Sequence, residues 1–421
     1  MRKRILFGLV SFILFIVLNI PIGAKELIVN DLGIVKQYTV SDSEGSAMLS
    51  RDGNQAKPVL TNTMIKQPGT YFLTQEDKNK QLQIIKFRIN ASKDQNEWEI
   101  GTTKELPEIF KYSLENYKKT ITIRFKNGTY TIDELDQMIH SMLEDLMAEY
   151  PRLSYVSYKM TSYGTVHPKV VMTFDYALDN IKLLKTYNEN LDRLLMDAIE
   201  TCIKPDMKAI EREIALTDYL ASHITYAQRD TNITHTVMGA MVDGIGVCDG
   251  YAKSIMYLLN SVGVPTLFIT GTADGGPHAW NLVKIDGSYY HLDLTWADSD
   301  ESRIGTFYNY LNETDDYMRL THVWNTKKYP KAENNKYTSM MLPVVQPGVY
   351  KVNTKAEWNK LVKTLEEDDL EEVNIIFNNL EENKWSAQKL INTIVEKENS
   401  NINYYTYYKY NSLIVNYALS H

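Results

Sequence analysis

The chain has no basic excess. Its 53 Asp and Glu residues outnumber 45 Lys and Arg, for a net charge of −8 and a pI near 5.6. Nucleic-acid-binding domains ordinarily carry a basic face, so that class is set aside. Beyond the N-terminus no apolar run is long enough to cross a bilayer. Nothing resembles a calcium loop, and no second close-spaced pair of ligands accompanies Cys248, His278 and Asp293, so neither metal nor cofactor is expected. Only two cysteines occur, Cys202 and Cys248. In an exported protein such a pair can form one bridge. A bridge, however, explains nothing else about the surroundings of Cys248. Cys202 falls within the helical pattern Leu194–Ile203 and reads as a buried small hydrophobe.

What is present begins with MRKR and a run from Ile5 to Ile20 broken only by Ser11 and Asn19. A basic start followed by an apolar stretch is a secretion signal, with a small-residue cleavage point after Ala24. The alternative is an uncleaved anchor, although 16 residues is short for a span. No lipid-attachment cysteine lies nearby. The reading is therefore a secreted or cell-surface protein, with 1–24 as signal or anchor.

The full length of 421 residues suggests two or three domains. Residues 25–100 are mixed, with turn clusters and one alternating stretch at Leu82–Ile89. Residues 101–179 read as a small α/β module: helix Leu106–Tyr117, strand Thr120–Phe125, helix Thr131–Glu149, then strands Leu153–Met160 and Lys169–Tyr176. Residues 345–421 repeat the plan, with helices at 357–365 and 386–396 and strands at 373–377, 404–410 and 413–419. Short echoes accompany it: Gln67-Pro-Gly-Thr-Tyr71 and Gln346-Pro-Gly-Val-Tyr350, Thr103-Lys104 and Thr354-Lys355, Asp175-Tyr-Ala-Leu178 and Asn416-Tyr-Ala-Leu419. These suggest an internal duplication flanking a central domain, 180–335. Neither copy carries a nucleophile–base pair, so binding or spacing suits the modules better than catalysis.

The chemistry concentrates in Asp243–Trp296. Gly244, Gly246 and Gly250 bracket Cys248, and apolar residues from Ala252 to Val262 then recur at helical spacing up to Gly263 and Pro265. Cys248 should sit in a glycine-rich loop at a helix start, where unpaired N–H groups and the helix dipole favour a thiolate. Asp286-Gly287 between two strand-like runs is a hairpin signal. A two-residue turn sets Ile285 against Ser288, Leu282 against His291, Trp280 against Asp293 and His278 against Thr295. His278 and Asp293 then share one face as diagonal neighbours. A thiol needs a base, an imidazole can be that base, and a carboxylate can orient the imidazole.

Gly246-Val-Cys248-Asp-Gly-Tyr-Ala252, Gly-Val-Pro265, His278-Ala-Trp-Asn281 and His291-Leu-Asp293-Leu-Thr-Trp296 resemble, in order and spacing, the bacterial transglutaminase-like domain. The resemblance covers about 180–335. It implies an α+β protein with a papain-like transglutaminase core flanked by the two α/β modules. It also implies Cys-His-Asp acyl transfer, with Cys248 as nucleophile, His278 as base and Asp293 as orienter. The family holds cross-linking enzymes, proteases, deamidases and members without activity, so the outcome stays open. Protein or peptide amides, including cell-wall-associated ones, are the expected partners. The alternative is a non-catalytic surface protein that binds a wall or protein partner.

Three further residues are cleft candidates. Tyr226 either lines the cleft or is a packed core tyrosine. Trp280 shields the His-Asp pair or is simply core. Asp249 is a helix-start residue or a participant. His291 reads as structural, Trp296 points to the face opposite Asp293 and reads as core, and His235 and His322, in polar loops, carry no signal.

Overall fold

The computed structural model describes residues 28–41, 46–298 and 310–338, apart from 78, 92 and 154, and then 349–367, 372–377, 392, 402–409 and 412–419. The N-terminal segment 1–24 and nearly all of the helix expected at 386–396 lie outside these residues.

The centre is the helix Cys248–Ser261, buried from Gly250 onward. Its apolar side chains meet the helices Ile181–Cys202 and Ala209–Ala221 on one flank, in a cluster that includes Leu195, Ile199, Leu216, Ile255 and Leu259. On the other flank lies an antiparallel sheet. Its order is Ser288–Leu292, Gly276–Ile285, Thr266–Ala273, His322–Trp324.

Residues 28–89 form a five-stranded sheet that takes part in the same core. Phe72, Leu82 and Ile84 are fully or nearly fully buried in the cluster of the central helix. Asn260, near the end of that helix, fastens the two parts. Its Oδ1 accepts from Ala56 N and Thr266 N (both 2.9 Å), and its Nδ2 donates to Gly53 O (3.2 Å) and Thr266 O (3.0 Å).

The next unit matches its sequence pattern closely, with helices Leu106–Glu115 and Ile132–Glu149 on a sheet ordered Tyr155–Tyr163, Lys169–Tyr176, Thr120–Phe125, Glu97–Ile100. Thr131 caps the second helix in a reciprocal box with Glu134. The strand Glu97–Ile100 belongs to this sheet, so the unit reaches back before residue 101.

The C-terminal sheet is ordered Val349–Val352, Glu372–Phe377, Ser412–Leu419, Ile402–Lys409. In each sheet the first strand in sequence lies parallel to the second, the second antiparallel to the last, and the last antiparallel to the third. One helix separates the first two strands in both, Leu106–Glu115 and Lys355–Glu367. Two echoes shift. The capping threonine matching Thr354 is Thr102, not Thr103, because Thr102 pairs with Glu105 as Thr354 pairs with Glu357. Gly69–Tyr71 belongs to the N-terminal five-stranded sheet and therefore has no counterpart role in the module sheet.

Candidate active site

Cys248 is the first residue of its helix, after the extended Val247. The first-turn N–H groups have no helical partners, and the positive end of the dipole lies at the sulfur. The surrounding glycines permit the close packing. A Cβ on Gly250 would lie 2.4 Å from the Thr234 carbonyl oxygen, a contact no side chain tolerates. The same carbonyl accepts from Val247 N at 3.0 Å, tying the loop to the helix start.

The hairpin turns at Asp286-Gly287 with φ of +47° and +84°, the left-handed pair a type I′ turn requires. Pairing runs from Ile285–Ser288 to Asn281–Leu292 in the predicted register. It then stops. Trp280–Asp293 and His278–Thr295 are not backbone pairs, because Asp293 becomes the N-cap of a short helix, Leu294–Ala297, its Oδ1 accepting from Trp296 N. A carboxylate needing a donor for each oxygen is satisfied at that cap better than in an extended strand.

His278 nevertheless meets Asp293. Its Nε2–H donates to Asp293 Oδ2 at 2.8 Å, and the ring is also hydrogen-bonded to Cys248. With Nε2 committed to the carboxylate, Nδ1 is the nitrogen left for the thiol. Burial opposes charge on His278, but the hydrogen bonds to Asp293 and Cys248 outweigh it and push the imidazole up to about 9. Burial raises Asp293, and the bonds from His278 and then His322 more than offset it, so the carboxyl lies below its usual range.

His322 is the residue the sequence reading missed. It is 1% exposed, and its Nε2–H donates to the same Asp293 Oδ2 at 3.1 Å. The ligand-type atoms of His278, Asp293 and His322 lie within 4.8 Å of one another, a spacing that two N–H···O bonds to one oxygen already produce. The signal was a repeated His-x-Trp frame: His322-Val-Trp324 echoes His278-Ala-Trp280. Both segments flank the strand Thr266–Ala273, Gly271 pairing with His278 on one side and Trp324 on the other.

The other candidates fall into place around this line. Trp280 is wholly buried, its ring 6.0 Å from that of His278 and edge-on to His322 at 4.9 Å. Its Nε1–H donates to His291 Nδ1 (2.9 Å), and His291 Nε2–H donates to Asp315 (2.9 Å), so His291 holds Trp280 rather than the thiol. Trp296 is not on the far face. It leans on His278 at 5.7 Å and His322 at 4.7 Å, because the short helix after Asp293 turns it back.

Tyr226 is 45% exposed rather than packed in the core. Its hydroxyl is pushed up by partial burial and then by the negative charges of Cys248 and nearby carboxylates. Asp249 occupies the first turn, where His235 Nδ1 (2.6 Å) and Lys253 Nζ (3.3 Å) hold its carboxylate. His235 is thus not idle: its other ring nitrogen meets Asp230. Cys202 ends its helix half-buried, and both cysteines are free.

A thiol at a helix start, an imidazole bonded to it, and a buried carboxylate behind the imidazole stand in line on a mixed helix-and-sheet core. Residues 197–294, which include all three groups, match the family model of the transglutaminase-like superfamily, and this segment is a domain of that superfamily. No curated protein matches the chain. Among solved structures it is similar to a proposed cysteine protease from Cytophaga hutchinsonii, at 16% identity and a TM-score of 0.22 over 33% of this chain and 62% of that one. A TGase is similar at 11% identity and a TM-score of 0.25, over 67% of this chain and 76% of that one. The periplasmic domain of TgpA from Pseudomonas aeruginosa is similar at 13% identity and a TM-score of 0.19, over 34% and 66%. The chain thus spans less than two thirds of the length of the first of these.

Proposed function

We propose that this protein is an exported, thiol-dependent acyl-transfer enzyme acting on protein or peptide amides. The observation that carries the reading is the hydrogen-bonded line from Cys248 through His278 to Asp293 at a helix start. Cys248 Sγ attacks the amide carbon while His278 Nδ1 holds the thiol proton. The C–N bond then breaks, and His278 returns the proton to the leaving nitrogen. A thioester remains on Cys248. An amine resolves it to a new amide, and water resolves it to an acid; the first outcome is cross-linking, the second proteolysis or deamidation. The Cys248 backbone N–H is the candidate donor to the oxyanion, and the exposed Tyr226 is a candidate to line the cleft or help it. Asp293 holds the imidazole in the tautomer the thiol needs.

The papain-like arrangement implied by the family belongs to this proposal. So does export, from the basic and apolar N-terminus; among the described residues no helix is long and apolar enough to cross a membrane. The two outer α/β units are proposed as copies of one module that binds or spaces, supported by their common strand order.

The test is mass spectrometry of glutamine-containing peptides incubated with the protein and a primary amine. A mass gain from the amine, conversion of a glutamine to glutamate, or chain cleavage in wild type but not Cys248→Ala supports the reading and names the outcome. No product, together with a Cys248 that iodoacetamide alkylates no faster than glutathione, removes it and leaves a binding protein.

A further inference from the structure

We propose that His322 is a positioning residue of this centre, acting through the Asp293 carboxylate. The proposal rests on the acyl-transfer reading and adds a group outside the 197–294 segment that matches the family.

Asp293 is wholly buried, so each carboxylate oxygen needs donors to stay charged. Oδ1 takes the Trp296 amide at 3.3 Å. Oδ2 takes two imidazoles, His278 at 2.8 Å and His322 at 3.1 Å. Both histidines sit on strands beside Thr266–Ala273, and they differ in what else they bond. His278 bonds the Cys248 thiol, with which it exchanges protons. His322 is buried and bonds Thr321 instead. The rings of Trp296, Trp280 and Tyr310 pack at 4.7, 4.9 and 5.9 Å around it.

Its tautomer is fixed as well. A carboxylate only accepts, so the His322 proton toward Asp293 sits on Nε2. Nδ1 then accepts, and the Thr321 hydroxyl stands 2.8 Å away to donate. Thr321 is itself hydrogen-bonded to Tyr310. A row of donors therefore points one way, from Thr321 through His322 to Asp293. His322 pins Oδ2 while His278 cycles between its neutral and charged forms. Without that pin the carboxylate turns about its Cβ–Cγ bond, and the imidazole loses the orientation that aims Nδ1 at sulfur.

The close approach is built into the backbone. A Cβ on Gly271, between the two histidine-bearing strands, would lie 2.2 Å from the Val323 carbonyl oxygen and 2.9 Å from the Trp280 ring. Only glycine at 271 lets the strand of His322 and the Trp280 ring both close on the strand Thr266–Ala273.

The test is the pH profile of Cys248 alkylation by iodoacetamide in the full chain, for wild type, His322→Ala, His322→Gln and Thr321→Val, with folding checked by circular dichroism. Glutamine can place one N–H where Nε2–H stood. The expected results are a loss of at least ~10-fold at pH 7 for His322→Ala, recovery to within ~3-fold for His322→Gln, and an intermediate loss for Thr321→Val, which frees the other tautomer. A downfield imidazole N–H resonance assigned to His278 should broaden in His322→Ala and return in His322→Gln. A His322→Ala protein that alkylates like wild type overturns the proposal. So does a folded His322→Gln protein as slow as one with no donor, and this arm decides the matter if His322→Ala fails to fold. If wild-type Cys248 itself alkylates no faster than glutathione, the acyl-transfer reading falls first, and the two failures are told apart.

Discussion

His278 and Asp293 meet at 2.8 Å just beyond the last backbone pair of their hairpin, so their bond is made by side chains after the strands have parted. The carboxylate can cap a helix with one oxygen and serve the imidazole with the other because it is no longer bound to strand geometry.

Cys248→Ala is expected to abolish acyl transfer while leaving the melting temperature near that of wild type, because a half-buried thiol contributes little packing. His278→Ala should be nearly as severe, and the double variant no worse than Cys248→Ala alone, since the two act as a unit. Asp293→Ala should be milder in chemistry, with ~10⁴ in rate as the outer bound. It leaves two imidazoles without their acceptor, so its melting temperature should fall as well. Rates from the peptide assay and melts by circular dichroism check all four.

The histidine gives a pH signature. Its folded value of about 9 is above the ordinary 6.5, so its contribution to stability is fully present below pH 6.5 and is lost as pH rises through 9. At ~1.36 kcal/mol per unit this is at most about 3 kcal/mol. Wild type should lose more melting temperature than His278→Ala between pH 7 and 10. Equal losses would mean the imidazole is not held in its charged form.

Glu213 works in the opposite sense. It is wholly buried, accepts from Asn312 at 2.7 Å, and is raised by burial to about 8. A carboxyl raised in the fold costs stability as pH climbs above its unfolded value, and the full cost is reached above 8. Glu213→Gln should therefore raise the melting temperature by at least ~2 °C at pH 8.5 and change it little near pH 4.5. Thermal melts at the two pH values decide.

Gly250→Ala should damage the site without touching any reacting atom. The methyl group must displace Thr234 or the first turn of the nucleophile helix, at a cost of ~1–3 kcal/mol. Alkylation of Cys248 is expected to slow along with the loss in stability. An unaffected rate would show that the helix start tolerates the shift.

Much of the centre was legible in the sequence because its signals are local. Asp286-Gly287 dictates a turn, the turn dictates a register, and glycines around Cys248 dictate a helix start against a loop. The register failed only at its end, where a capping carboxylate overrode strand continuation. His322 escaped because its role depends on sheet order: it reaches Asp293 only after the strand Thr266–Ala273 has been placed between two others. Trp296 escaped for the related reason that alternation along a strand says nothing once the chain has turned into a helix. Tyr226 was undecidable from sequence, since a lone tyrosine near a strand reads the same on a rim or in a core.

Asn260 sets the size of the smallest working piece of this protein. One helix begins with Cys248 and, twelve positions later, holds residues 53 and 56 through the side-chain amide of Asn260. Trimming the chain to the family-matched segment would strip that amide of two of its four bonds and uncover the apolar side chains that Phe72, Leu82 and Ile84 now shelter. A shortened protein meant to keep a competent thiol has to begin before the five-stranded sheet.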